Sequence, residues 1–158
     1  IESTEEKAKE IADYLLNQDH CFVLGKGSLF SVAQEGALKT KEIGYIHSEA
    51  YEGNALRHGP YALLEEGTPV IFLNPRDEYF ADMNNTVEEV KSRGAVAITI
   101  SSSEDTSEKN DYIIKVPDNY TFKGILHNIP MQLIAYYLGV KKEINVDRPR
   151  NLAKSVTV

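Results

Sequence analysis

Glu35, Lys39 and Glu42 fall at i, i+4 and i+7, a spacing that puts all three on one face of a helix. An ammonium between two carboxylates can move protons, because each partner shifts the pKa of the other. The same trio also reads as a plain ion pair: Glu35 four residues ahead of Lys39 is the favoured helical orientation, worth about 0.2–0.5 kcal/mol. Ser28 and Ser31 extend the polar stripe towards the helix start, and Gly36 interrupts it. A glycine weakens a helix by about 1 kcal/mol relative to alanine, so Gly36 points to close approach by another backbone or a ligand. Two histidines follow. His58 stands in His-Gly-Pro, which stops a short helical stretch and leaves the ring in a turn; His47 reads as structural. Neither has a close ligand-spaced partner, and the single thiol, Cys21, sits in an apolar run, so no metal is expected. Lys154 comes last, an amine framed by Leu152, Ala153, Val156 and Val158. Most termini fray without pattern. A tail that docks and delivers one amine would need such a frame.

These residues require elements that position them. "STEEKAKEIADYLLNQ" carries Ser3 and Glu6 at capping-box spacing, then Ala8, Ile11, Ala12 and Leu15 at helical spacing. Short apolar runs at 21–25, 68–75, 95–101 and 112–117 predict strands, the first of them buried on both faces. A glycine turn capped by Ser28 opens the helix of the charged stripe. A third helix closes at Gly94, and a long apolar one spans 124–140 with Pro130 as a kink or a break. Strand and helix alternate, so the expected fold is α/β, a parallel sheet covered by helices on both sides. Ligands in such sheets sit beyond the carboxyl ends of the strands. That points to the loops after Leu24, Leu73, Ile100 and Val116.

Bulk composition narrows the function. At 158 residues the chain makes one ordinary domain, and 42% hydrophobic with 26% charged residues is normal for a soluble globular fold. A net charge of −7 with scattered acids disfavours a nucleic-acid partner. No apolar run reaches membrane-spanning length, so no membrane is expected. One cysteine in an apolar run fits a reducing compartment, the cytoplasm. The first residue, Ile1, predicts a processed chain or a part of a longer one.

Two segments carry a resemblance. "EGALKTKEIGYIHSEAY…RHGP" at 35–60 and "VDRPRNLAKSVTV" at 146–158 resemble the second sugar-isomerase (SIS) domain of the glutamine–fructose-6-phosphate aminotransferase (glucosamine-6-phosphate synthase) family. The likeness covers nearly the whole chain, and the tail motif is its most specific part. It implies a three-layer αβα sandwich, flavodoxin-like, with four to five parallel strands: one SIS domain over 1–144 and a tail over 145–158. It also implies conversion of fructose 6-phosphate and glutamine-derived ammonia into glucosamine 6-phosphate, without a cofactor. The implied partners are a preceding SIS domain, a glutaminase domain and a second subunit in a homodimer. Carried over residue by residue, Lys154 forms the Schiff base, Glu42 moves the proton between sugar carbons 1 and 2, and Lys39 supports proton transfer at nitrogen. His58 assists ring opening in the neighbouring subunit's site. Ala153, Glu35 and Ser28 are expected substrate contacts.

Two departures stand out. Ala55 replaces a glutamate usual in the family, and the chain stops at Val158 where the family adds a final glutamate. Phosphate-binding SIS domains carry a Ser/Thr-rich loop after the second strand; "LNPRDEYF" stands at that place here. The phosphate grip is therefore expected from the preceding SIS domain, not from this chain. Two other readings remain: a sugar-phosphate-binding module without chemistry, and a deglycase-like enzyme acting on fructosamine phosphates.

Overall fold

The computed structural model describes residues 2–153, with side chains from residue 4 onward. Five strands form one sheet in the order β2-β1-β3-β4-β5, and every pairing is parallel. The strands are β1 (His20–Gly25), β2 (His47–Glu52), β3 (Pro69–Asn74), β4 (Val96–Ser101) and β5 (Tyr112–Lys115). The helices are α1 (Glu2–Leu15), α2 (Ser28–Gly44), α3 (Phe80–Lys91) and α4 (Lys123–Lys141). Two 3-10 turns, Gly53–His58 and Pro60–Leu63, join β2 to β3.

Alternation along the strands makes two cores. Cys21, Val23, Ile71, Leu73, Ile98 and Ile100 point to the side covered by α1, α2 and α4, where they meet Leu15, Leu29, Ile134 and Leu138. Phe22, Leu24, Val70, Phe72 and Ala97 point to the other side and meet Leu56 of the first 3-10 turn and Met83, Val87 and Val90 of α3. All six residues of β3 are buried, as expected of a central strand paired on both sides. No helix among the described residues is long and apolar enough to cross a membrane.

The apolar runs became β1, β3, β4 and β5, and the fifth strand is β2, whose sequence His-Ser-Glu-Ala-Tyr-Glu gave no strand signal. It lies at the sheet edge, paired to β1 alone. Helix α1 is already under way at Glu2, so Ser3 lies inside it and is not its cap. Ser28 is likewise the first residue of α2, preceded by Gly27 at φ 56, and it makes no capping hydrogen bond. A Cβ at Gly27 would also stand 2.8 Å from the Tyr79 ring, so only glycine suits that corner. The gap at Gly36 admits neither ligand nor backbone. Met131 of α4 fills it, with its Cε 2.7 Å from where a Cβ would stand. Pro130 is buried within α4, which continues on both sides of it.

Burial of Cys21 has a chemical result. Desolvation pushes its thiol pKa up to about 11, against a smaller lowering effect of the Ser48 hydroxyl 3.0 Å away. The thiolate is the reactive form. Native protein at pH 8 is expected to resist alkylation by iodoacetamide on a timescale that labels the denatured chain completely. Mass spectrometry checks this, and rapid native labelling would show that the strand opens.

Candidate active site

Helices α2 and α4 run antiparallel to the strands, so their last turns finish at the amino ends of the sheet. Glu42 lies in the last turn of α2, just before the start of β2. The sequence reading placed the chemistry at the carboxyl ends; helix direction puts Glu42 at the opposite edge. Lys39 donates to Glu42 at 2.6 Å and is 3.5 Å from Glu35, so the tighter pair is Lys39–Glu42. The Glu42 hydrogen bond, aided by the charges of Glu35 and Glu42, holds the Lys39 pKa above its ordinary value. Lys39 therefore rests as an ammonium. It suits proton donation and is unsuited to nucleophilic attack.

The tail arrives at the same place because α4 ends there. Arg150, Asn151 and Leu152 line a cleft of about 410 Å³ together with Lys41, Glu42, Tyr45, Ile46 and His47. Ala153 follows, exposed. Lys154 lies outside the described residues.

His58 does not join this group. It ends the first 3-10 turn, exposed, in the layer that packs with α3, so the sheet stands between it and Glu42. Its neighbours fix that turn. Arg57 forms a two-point pair with Glu89 of α3, Tyr61 donates to the same carboxylate at 2.5 Å, and the Arg93 guanidinium lies 4.2 Å from the Tyr61 ring centroid. Arg57 holds the Glu89 pKa below the usual carboxylate range, and burial with the Glu89 bond pushes Tyr61 up to about 12. Sequence reasoning missed these supports, since partners about thirty residues apart leave no local pattern.

Ser28 is also remote from Glu42, at the other end of α2. It borders a cleft of about 590 Å³ with Gly27, Glu78, Tyr79, Tyr120, Thr121, Lys123 and Gly124. This is where the connections from β1 and β3 diverge, the usual ligand crevice of an open sheet. Its cations are engaged: Lys26 pairs with Asp82, and Lys123 lies 2.7 Å from Asp77, whose side chain is 3% exposed. Burial opposes the Lys123 charge, but the bond and charge of Asp77 outweigh it and leave the pKa raised. Glu78 adds a further acid to the lining. A phosphate would find little free positive charge here.

The family model of the SIS domain matches residues 14–141, from the end of α1 to the end of α4. The chain belongs to the SIS domain family. This SIS domain is 43% identical over 155 residues to the isomerizing glutamine–fructose-6-phosphate aminotransferase of Thermococcus kodakarensis, covering 98% of the chain and 26% of the relative. The enzyme of the same description from Pyrobaculum aerophilum is 45% identical over 166 residues, with 100% and 27% covered. Among solved structures, the C-terminal domain of glucosamine-fructose-6-phosphate aminotransferase from Francisella tularensis superposes with a TM-score of 0.87 at 31% identity, over 92% of this chain and 42% of that one. This SIS domain thus matches the C-terminal, isomerase part of those enzymes and spans about a quarter of the length of the curated relatives.

Proposed function

We propose that this chain is the C-terminal part of the isomerase half of a glucosamine-6-phosphate synthase, acting on fructose 6-phosphate with ammonia released from glutamine. The observation that carries the reading is the return of the tail onto the last turn of α2. There Leu152, two residues before Lys154, lines one cleft with Glu42. An amine and a carboxylate at one place are what imine formation and a 1,2-proton shift require.

In this reading the Lys154 amine attacks the ketose carbonyl and water leaves, giving an imine. Ammonia then displaces the lysine, because the product nitrogen is ammonia's. The Glu42 carboxylate takes a proton from carbon 1 and returns it to carbon 2. Lys39, resting as an ammonium on Glu42, supplies and recovers the proton at nitrogen. Glu35, Ser28 and Ala153 are assigned to substrate contact, and the distance of Ser28 from Glu42 makes it the weakest of these assignments. His58 serves ring opening in the site of a neighbouring subunit, which its position across the sheet from Glu42 supports. The preceding SIS domain supplies the phosphate grip, consistent with the paired cations near Ser28.

Borohydride reduction of the complete enzyme in the presence of fructose 6-phosphate tests the reading. A reduced sugar adduct on Lys154 is expected, and it would exclude a module without chemistry. No adduct at Lys154 in an enzyme that still turns over would overturn the assignment. Calorimetric titration of the 158-residue chain with the same sugar is expected to show no micromolar binding. Micromolar affinity would move the phosphate grip into this chain.

A further inference from the structure

Beyond α4 the chain turns back through a set of short contacts. The Glu143 N–H donates to the Val140 carbonyl at 3.0 Å and the Ile144 N–H to the Gly139 carbonyl at 2.9 Å. The Asn145 side-chain oxygen accepts from the N–H groups of Asp147 and Arg148 at 3.1 and 3.2 Å. Val146 packs onto Gly139, where a Cβ would stand 2.7 Å from its Cγ1 and 2.8 Å from the Ile43 carbonyl oxygen. The tail is thereby brought across the end of α2, where it meets Tyr45. The Tyr45 hydroxyl accepts the Arg150 N–H at 2.8 Å, and the Arg150 guanidinium lies 4.1 Å from the Tyr45 ring centroid.

Tyr45 is an unusual residue for its backbone. It ends α2 at φ 52, ψ 35, in the left-handed region where glycine is the common helix terminator. A glycine there would relieve the backbone and lose both contacts to Arg150.

We propose that Tyr45 is a positioning residue of the site: it anchors Arg150 and so fixes, beside Glu42, the point from which the chain continues to Lys154. This rests on the imine-forming role proposed for Lys154. Tyr45 follows Glu42 by three residues, so anchor and base belong to one rigid turn. Four residues separate Arg150 from Lys154, a reach of at most about 14 Å. With the anchor lost, the last backbone group still held is the Arg148 N–H on Asn145, six residues before Lys154, and the reach grows by about half, to roughly 21 Å. Diluting a tethered group in this way lowers its effective concentration about two- to threefold.

The first measurement needs only this chain. Trypsin cuts after Arg150, whereas Pro149 blocks the bond after Arg148. Tyr45→Gly is expected to raise the initial rate of cleavage after Arg150 about tenfold, and Tyr45→Phe, which keeps the ring but not the acceptor, by less. Circular dichroism and the thermal midpoint should show a folded domain in both. The second measurement uses the complete enzyme. The same variants are expected to lower kcat for glucosamine 6-phosphate formation, about two- to threefold for Tyr45→Gly and by less for Tyr45→Phe, with KM for fructose 6-phosphate and glutamine hydrolysis unchanged. Unchanged cleavage in a folded Tyr45→Gly variant overturns the anchor, whatever Lys154 does. Faster cleavage with unchanged kcat overturns its positioning role. A missing Lys154 adduct in the wild-type enzyme would sink the imine reading instead, and the cleavage result would still decide the anchor.

Discussion

Glu42→Gln in the complete enzyme is expected to lower kcat for the ketose-to-aldose step about 100- to 10,000-fold, the range for removing a positioned general base. The amide is isosteric and the side chain is partly exposed, at 28%, so the fold should be unchanged. Lys39 loses the negative charge of its closest partner, at 2.6 Å, although an amide oxygen can still accept, and it keeps Glu35 at 3.5 Å. Its ammonium thus stays compensated, and the effect can be read as loss of the base. The loss should fall on kcat, with KM for fructose 6-phosphate little moved, because a base acting at carbon need not bind the phosphate. Exchange of the carbon-1 hydrogen with deuterated solvent provides a direct readout and should fall in parallel. Glu35→Gln is the comparison, expected to change kcat by less than about tenfold, since Glu35 is assigned to substrate contact and lies 3.5 Å from Lys39 but is not assigned the proton shift. Glu42→Gln activity within threefold of wild type would assign the proton shift elsewhere.

The central strands and the helix of the charged stripe were legible because each is a local pattern: continuous apolar runs for β1, β3 and β4, and a period near four for α2. The edge strand β2 was not legible. With one partner and one covered face it accepts polar residues, and His-Ser-Glu-Ala-Tyr-Glu looks like a loop. Missing it also shifted the strand count, so the loop expected after the second strand follows β3. Ser28 and Ser3 fitted capping rules that depend on where the helix starts, and a shift of one or two residues put both inside. Gly36 was rightly marked as a place of close approach, but only α4 could show that the visitor is Met131. The site followed the same division. Spacing put Lys39 and Glu42 on one helix face, where they pair, while their catalytic roles are implied only by the resemblance; Arg150, Asn151 and Leu152 return to the Glu42 cleft. Its position at the amino ends was not legible, because the carboxyl-end rule describes ligands held by loops after strands. Glu42 sits on a helix at the other end of its run. Tyr45, Glu89 and Tyr61 act across 28 to 105 residues of sequence, and nothing local announces them.

Asp77→Ala is the substitution expected to cost most stability. The Asp77 carboxylate is 3% exposed and its partner Lys123 16%, so the pair is part-buried and only partly screened by solvent. The carboxylate also accepts the Tyr79 N–H at 3.0 Å, just before α3 begins. Removing it leaves a part-buried ammonium unpaired at the start of α4, above His127, whose ring is buried and bonded to the Lys123 carbonyl at 2.7 Å. Breaking one side of a fully buried pair costs about 3–5 kcal/mol, and the partial exposure of Lys123 puts this one at or just below the low end, about 2–3 kcal/mol. That is a large part of the roughly 5–15 kcal/mol that holds a domain folded. At about 2–4 °C per kcal/mol for a chain of this size, the melting midpoint should fall by roughly 4–12 °C. Replacing both partners, Asp77→Ala with Lys123→Met, removes the stranded charge and should recover most of the loss, which a double-mutant cycle measures even if the single variant is only partly folded. The cycle bears on function through the cleft beside Ser28. A coupling of several kcal/mol means that the Lys123 charge is committed to Asp77 and cannot also hold a sugar phosphate, as the proposed grip by a preceding SIS domain requires. A coupling near zero would mean that Lys123 is available to an anion, and the phosphate grip would belong to this chain after all.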